Sequence, residues 1–172
     1  MIKDKKILII GGNRFVGKSL VDKLISFNTL DLFNRSGTGS SYANIIKGDR
    51  NDINDLLKIN FKKYDCIVDM CLYKLEQFKL IKDLIPDNIN YVFISSGAVD
   101  YTESFGEYGV EKKNIEKALT KTNINYKIIR PSYIVGEGDH IGRLSYYISK
   151  LNNKEPIEIS SDGNYPINIV FV

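Results

Sequence analysis

Short apolar runs alternate with amphipathic stretches along the whole chain, the order expected of strand and helix units stacked into a parallel sheet. Buried strands are predicted at Lys6 to Ile10, Leu30 to Phe33, Asn44 to Lys47, Cys66 to Cys71, Tyr91 to Ser95 and Tyr126 to Arg130. Val16, Leu20, Val21, Leu24 and Ile25 fall on one helical stripe, which predicts a helix over Val16 to Ile25 that packs on the sheet. Leu75 to Ile85 repeats the pattern, and Pro86 stops it. The fold class that follows is α/β, a doubly wound parallel sheet with helices on both faces. Right-handed crossovers would gather the C-terminal ends of the strands on one edge, where such a sheet binds its ligand at the switch in strand order.

At 172 residues the chain has the size of one domain, with no Gly/Ser-rich, Pro-rich or single-charge block and no fixed-period repeat, so one unit over residues 1–172 is expected. Its 24 Lys and Arg against 21 Asp and Glu are spread along the chain, which argues against a nucleic-acid partner. The first apolar run, Ile7 to Ile10, is too short for a signal-peptide core and nothing approaches the length of a membrane span. A cytoplasmic location away from membranes is expected. Cys66 and Cys71 stand five apart in one predicted strand, on opposite faces, and read as reduced thiols. The single histidine, His140, and the lack of a close set of Cys, His and carboxylate residues exclude a zinc site and a Ser/His/Asp triad, so no metal is expected.

Directly after the first strand comes Gly11-Gly12-Asn13-Arg14-Phe15-Val16-Gly17, and directly after that the first helix. Gly11 permits a tight turn, Gly17 lets helix and strand approach closely, and the free N–H groups of the helix start offer a site for a pyrophosphate. That placement points to a Rossmann-type site for a nicotinamide dinucleotide. At the end of the second strand, where a carboxylate would clasp the ribose hydroxyls of NAD, stands Asn34, followed by Arg35. With Arg14 nearby, two guanidinium groups could hold a 2′-phosphate, so NADP is favoured over NAD; the alternative is that Arg35 is an exposed turn residue.

The fifth strand runs into Ser95-Ser96-Gly97, and a dozen residues on Tyr108-Gly109-Val110-Glu111-Lys112 opens a helix whose four-residue step puts Tyr108 and Lys112 on one face. A tyrosine with an ordinary pKa near 10 is mostly protonated at neutral pH, and a neighbouring ammonium favours its phenolate. Ser96, Tyr108 and Lys112 are therefore the candidate catalytic residues, in a chain that begins with a dinucleotide loop.

Together the glycine loop, the Ser-Ser strand end and the Tyr-x-x-x-Lys helix resemble the extended and atypical short-chain dehydrogenases, the epimerase/dehydratase group, whose loop is Gly-x-x-Gly-x-x-Gly; Arg14 replaces the middle glycine. The variant resembles a subgroup with Gly-Gly-Thr-Arg-Phe-x-Gly loops that includes reductase-like proteins and chloroplast RNA-binding relatives. The resemblance implies that Ser96 hydrogen-bonds the substrate carbonyl or hydroxyl, that Tyr108 exchanges its proton, and that Lys112 also grips the nicotinamide ribose. The choice of Ser96 over Ser95 follows a Ser-x-x-Val match to Val99, although Asp100 stands where relatives have tyrosine. Further dinucleotide contacts implied are the loop residues Gly11, Asn13, Arg14, Phe15, Val16 and Gly17, and Asn34 and Arg35. Asp49 and Arg50 of Gly48-Asp49-Arg50 would lie along the adenine, with Asp49 accepting a hydrogen bond or, equally, capping a turn. Met70, Cys71 and Leu72 would wall the cofactor ribose, and Pro131 and Ser132 would pass under the nicotinamide.

The implied activity is an NAD(P)-dependent oxidoreductase, epimerase or dehydratase acting on a small carbonyl, hydroxyl or nucleotide-sugar substrate. A non-catalytic NADP(H) sensor and an RNA-binding relative are the alternatives. Residues 136–172 read as the start of an incomplete substrate lobe that is largely absent. The apolar run Ile167 to Val172 would leave strand edge and core surface bare, so the expectation is either a truncated member or a second copy or another chain that covers the end.

Overall fold

The computed structural model describes residues 2–159, 162–164 and 168–172. Six parallel strands form one sheet: β1 (Lys6–Ile10), β2 (Thr29–Asn34), β3 (Asn44–Lys47), β4 (Cys66–Asp69), β5 (Asn90–Ile94) and β6 (Tyr126–Ile129). Their spatial order is β3-β2-β1-β4-β5-β6, so the sequence reverses direction between β1 and β4. That is the Rossmann order, with its ligand crevice at the reversal. The first strand shows why the sheet is covered on both sides: Leu8 and Ile10 enter one core and Ile7 and Ile9 the other, as the two-residue repeat of a strand requires.

Helix α1 (Phe15–Leu24) covers one face through Leu20, Val21 and Leu24. On the other face lie α2 (Ile53–Leu56), α3 (Leu75–Ile81) and α4 (Thr102–Leu119), with Leu56, Phe78, Ile81, Ile115 and Leu119 in its core. A separate pair of parallel strands, β7 (Tyr133–Val135) and β8 (Ile169–Phe171), follows the sheet, with α5 (Arg143–Asn152) between them in sequence. No residue of α5 is buried.

Several expected boundaries move. β4 stops at Asp69, so Cys71 lies beyond the strand; Cys66 packs with the α1-side core and Cys71 with the other. The helix expected to reach Ile85 ends at Ile81 and tightens into a 3₁₀ turn over Lys82–Leu84, and β6 ends one residue before Arg130. The helix expected to open at Tyr108 starts earlier, at Thr102, but breaks at Gly106, whose φ of 53° interrupts the helical path and restarts it two residues before Tyr108. The C-terminal apolar run contributes β8, paired with β7, while Ile167 lies outside the described residues.

Candidate functional site

At the C-terminal edge of the sheet a cleft of about 1470 Å³ opens between the β1–α1 loop, the ends of β2 and β4, the β5–α4 segment and the residues after β6. Every residue nominated from the sequence lines this cleft except Leu72. Leu72 is fully buried in the core beneath α3 and offers no surface to a ligand, which corrects its expected place in the ribose wall.

The β1–α1 loop is compact because its glycines admit backbone where a side chain would collide. A Cβ on Gly17 would stand 2.7 Å from the Gly11 carbonyl oxygen, and one on Gly11 would meet Cys71 Sγ at 2.9 Å. Gly11 has a φ of 88°, and Phe15 adopts a φ of 42°, a left-handed conformation costly for an aromatic residue. Arg14 precedes α1 without capping it, and no acidic side chain occupies the first turn. The helix start thus keeps backbone donors and its partial positive charge available to an anion.

At the ribose end, Asn34 is committed to its own turn: Oδ1 accepts from the Gly37 amide at 2.9 Å and from Ser36 Oγ at 2.8 Å, and Nδ2 donates to the Thr38 carbonyl. Asn13 joins the same network by donating to Ser36 Oγ at 2.9 Å. Arg35 is exposed beside it. Asp49 accepts from the backbone and side-chain nitrogens of Asn51 at 2.9 and 2.7 Å, which makes it a turn former in this structure.

Arg50 has a role that its sequence position did not disclose. Its NH1 and NH2 donate to the two oxygens of Asp69 at 2.6 and 3.0 Å, with the two side chains 7% and 0% exposed. Burial works against the charge on Arg50, and Asp69 more than restores it, so the guanidinium pKa is raised. Asp69 also accepts from Tyr91 Oη at 2.9 Å. Arg50 NH1 approaches Cys71 Sγ at 3.6 Å. Burial pushes the Cys71 thiol above its ordinary pKa, which keeps it protonated and poorly nucleophilic.

The two serines at the end of β5 separate cleanly. Both line the cleft, but Ser95 is buried and donates to Glu116 Oε1 at 2.5 Å, whereas the half-buried Ser96 side chain only accepts from the Ala98 amide at 3.2 Å. Glu116, one turn beyond Lys112, also receives the fork of Arg130, Nε to Oε1 at 2.9 Å and NH2 to Oε2 at 2.5 Å. This clamp holds α4 against the ends of β5 and β6. Near the start of the restarted helix, Gly109 lets it approach the backbone carbonyl of Ala98, where a Cβ would stand only 2.6 Å away. Ser96, Tyr108 and Lys112 all line the cleft.

Lys112 is 2% exposed and its Nζ donates to the Ile94 carbonyl at 2.8 Å. Three aromatic rings surround the ammonium, with Nζ 4.9 Å from the centroids of Tyr73 and Phe93 and 5.8 Å from that of Tyr108. Burial lowers its pKa from 10.5 to about 8, against the opposing pull of Asp69. Asp69, Glu116 and Tyr73 were all missed in the sequence. Glu116 was the most accessible of them, since it stands four residues after Lys112 on the same face of one helix. Among the described residues no group of His, Cys and carboxylates is arranged to hold a metal ion, and no helix is long and apolar enough to cross a membrane.

No family model matches the chain. It is 26% identical over 190 residues to the chloroplast stem-loop binding protein of 41 kDa b of Arabidopsis thaliana, an alignment covering 93% of this chain and 50% of that protein. It is 27% identical over 212 residues to a Methanocaldococcus jannaschii protein named "Putative UDP-glucose 4-epimerase", with 96% and 69% covered. The chain thus spans half the length of one curated relative and about two thirds of the other. Among solved structures it resembles the UDP-N-acetylglucosamine 4-epimerase of Methanobrevibacter ruminantium, solved with UDP-N-acetylmuramic acid, at a TM-score of 0.72 and 22% identity over 99% of this chain and 70% of that one. It also resembles an epimerase of Methanothermobacter thermautotrophicus, with a TM-score of 0.75 and 16% identity over 98% and 65%. A third likeness is the Bordetella bronchiseptica enzyme WbmG in complex with NAD, with a TM-score of 0.70 and 13% identity over 99% and 73%. The fold shared with these structures is of the Rossmann type. Of these three structures, the one named with a dinucleotide holds NAD.

Proposed function

We propose that this chain binds a nicotinamide dinucleotide and, as an enzyme of the extended short-chain dehydrogenase kind, moves hydride to and from a carbinol or carbonyl carbon of a nucleotide-sugar substrate. The observation that carries this reading is the convergence of the uncapped α1 start, Ser96, Tyr108 and Lys112 on one cleft at the strand-order reversal. The dinucleotide, when bound, supplies the hydride acceptor. The pyrophosphate is held by the loop from Gly11 to Gly17. Ser96 Oγ orients the reacting oxygen, Tyr108 Oη takes or returns its proton, and Lys112 supplies the nearby positive charge that stabilises a phenolate while it holds the nicotinamide ribose.

NADP is the favoured cofactor, with NAD also accepted. No carboxylate stands at the end of β2, Asn34 is spent on its turn, and Arg14 and Arg35 line the cleft there. Arg35→Ala is expected to weaken NADP more than NAD in a calorimetric titration. The catalytic assignment is tested with UDP-glucose and UDP-N-acetylglucosamine as probe substrates, following epimer formation by NMR. Tyr108→Phe should abolish turnover while dinucleotide affinity persists; undiminished turnover would refute the role of Tyr108.

The likeness to a stem-loop binding protein favours one second reading, an RNA-binding surface. The nearly balanced charge works against it. RNA affinity falling steeply with salt would support that reading, because phosphate contacts release counterions.

A further inference from the structure

The Lys112 side chain lines the cleft that it is proposed to serve but is almost wholly buried there. At 2% exposure it leaves almost no room for a water molecule or a ribose hydroxyl. Its Nζ makes one hydrogen bond, to the Ile94 carbonyl, and is otherwise faced by the rings of Phe93, Tyr73 and Tyr108. For a ligand oxygen to come within hydrogen-bonding distance, one of these walls must give way.

Two of the four walls are fixed, and a third sits on a helix whose backbone is held. Ile94 is strand backbone, and Phe93 is fully buried between β5 and the helices. Tyr108 sits on α4, whose position is held by the Glu116–Arg130 clamp and the Gly109 approach, and its phenol must stay beside the reacting oxygen. Tyr73 differs: it belongs to the connection between β4 and α3, lines the cleft and is 50% exposed. Its backbone is pinned, because Gln77 Oε1 accepts from the amides of Tyr73 and Lys74 at 2.9 and 3.2 Å and Gln77 Nε2 donates to Asn51 at 2.9 Å. The freedom that remains is rotation of the ring itself, a side-chain motion that leaves the loop in place.

We propose that Tyr73 is a further residue of the dinucleotide site: its ring covers Lys112 and swings aside when the hydroxyls of the nicotinamide-side ribose replace it as partners of the ammonium. This rests on the proposed function. The ring and the ribose compete for one cation, so Tyr73 lowers the affinity of exactly those ligands that carry the second ribose.

The test is a calorimetric titration of the full chain, Tyr73→Phe and Tyr73→Ala with three probes: NADPH, ADP-ribose, which keeps the second ribose, and ADP, which lacks it. Tyr73→Phe keeps the ring and should match the wild type. Tyr73→Ala should bind NADPH and ADP-ribose roughly 2- to 30-fold more tightly, the range expected when one cation–π contact no longer has to be surrendered, with ADP affinity unchanged. A loss or no change in NADPH affinity overturns the proposal, as does an equal gain for ADP, which would mark a general effect on the fold. If the wild type binds none of the three, the dinucleotide reading fails and takes this inference with it. If the wild type binds and the alanine variant does not differ, only the inference fails.

Discussion

Replacing Arg50 by methionine would expose how much of this fold depends on a buried charge pair. The substitution keeps an apolar stem of similar length but removes both donors to Asp69, at 2.6 and 3.0 Å, leaving a fully buried carboxylate with Tyr91 Oη and the Cys71 amide. Breaking a buried pair from one side costs about 3–5 kcal/mol, because the remaining charge has lost its partner but not its burial. Against that stands a smaller gain. Nε of Arg50 has no hydrogen-bond partner among the described residues, and deleting such a buried donor returns about 1 kcal/mol. The net loss is about 2–4 kcal/mol, a large share of the stability of an ordinary domain. In urea it should appear as a fall of about 1–2 M in the unfolding midpoint with an unchanged slope. Adding Asp69→Asn to the variant should recover part of the loss, since the orphaned charge disappears. A loss below about 1 kcal/mol, or a double variant less stable than Arg50→Met, would refute the view that the charge on Asp69 needs Arg50.

Two other expectations follow from the site. Lys112, held at about 8 against its ordinary 10.5, binds its proton less tightly in the folded chain than in the unfolded one, so it costs stability fully below pH 8, progressively less up to pH 10.5 and nothing above. Lys112→Met should therefore be more stable than the wild type at pH 7, by on the order of 1–3 kcal/mol, with an advantage that shrinks toward pH 10.5; equal differences in urea midpoint at pH 7 and pH 10 would contradict this. Gly17→Ala places a methyl 2.7 Å from the Gly11 oxygen and 2.9 Å from the Gly12 Cα, both backbone atoms, so α1 must separate from the loop. Dinucleotide affinity should fall at least roughly tenfold and stability by about 1–3 kcal/mol; unchanged affinity by calorimetry would show that the loop does not hold the pyrophosphate.

The architecture was legible because it is written locally. The alternation of Ile7, Leu8, Ile9 and Ile10 between two cores, and the stripe through Leu20, Val21 and Leu24, are properties of neighbouring residues. So are the glycine loop and the four-residue step from Tyr108 to Lys112. What escaped depends on strand order. Asp69 meets Arg50 across 19 residues, and Glu116 meets Ser95 across 21, pairings that exist only once β1, β4, β5 and β6 lie side by side. Asp31 shows the same limit: a carboxylate in an otherwise apolar strand is buried because Lys63 and Tyr64, both at 2.6 Å, come to it from the segment before β4. The misplacement of Leu72 has a local cause. β4 ends at Asp69, and three residues further on the chain has turned into the core, so the place that the resemblance implied for Leu72 is not the one it takes.

The most direct measurement is a calorimetric titration of the purified chain with NADP, NADPH, NAD and NADH, paired with thermal unfolding at each saturating concentration. Saturable binding of at least one of these at one site per chain, with an unfolding midpoint that keeps rising with the logarithm of ligand concentration above the Kd, is the predicted result. Absence of both heat and stabilisation with all four at millimolar concentration would contradict the assignment of this cleft to a nicotinamide dinucleotide.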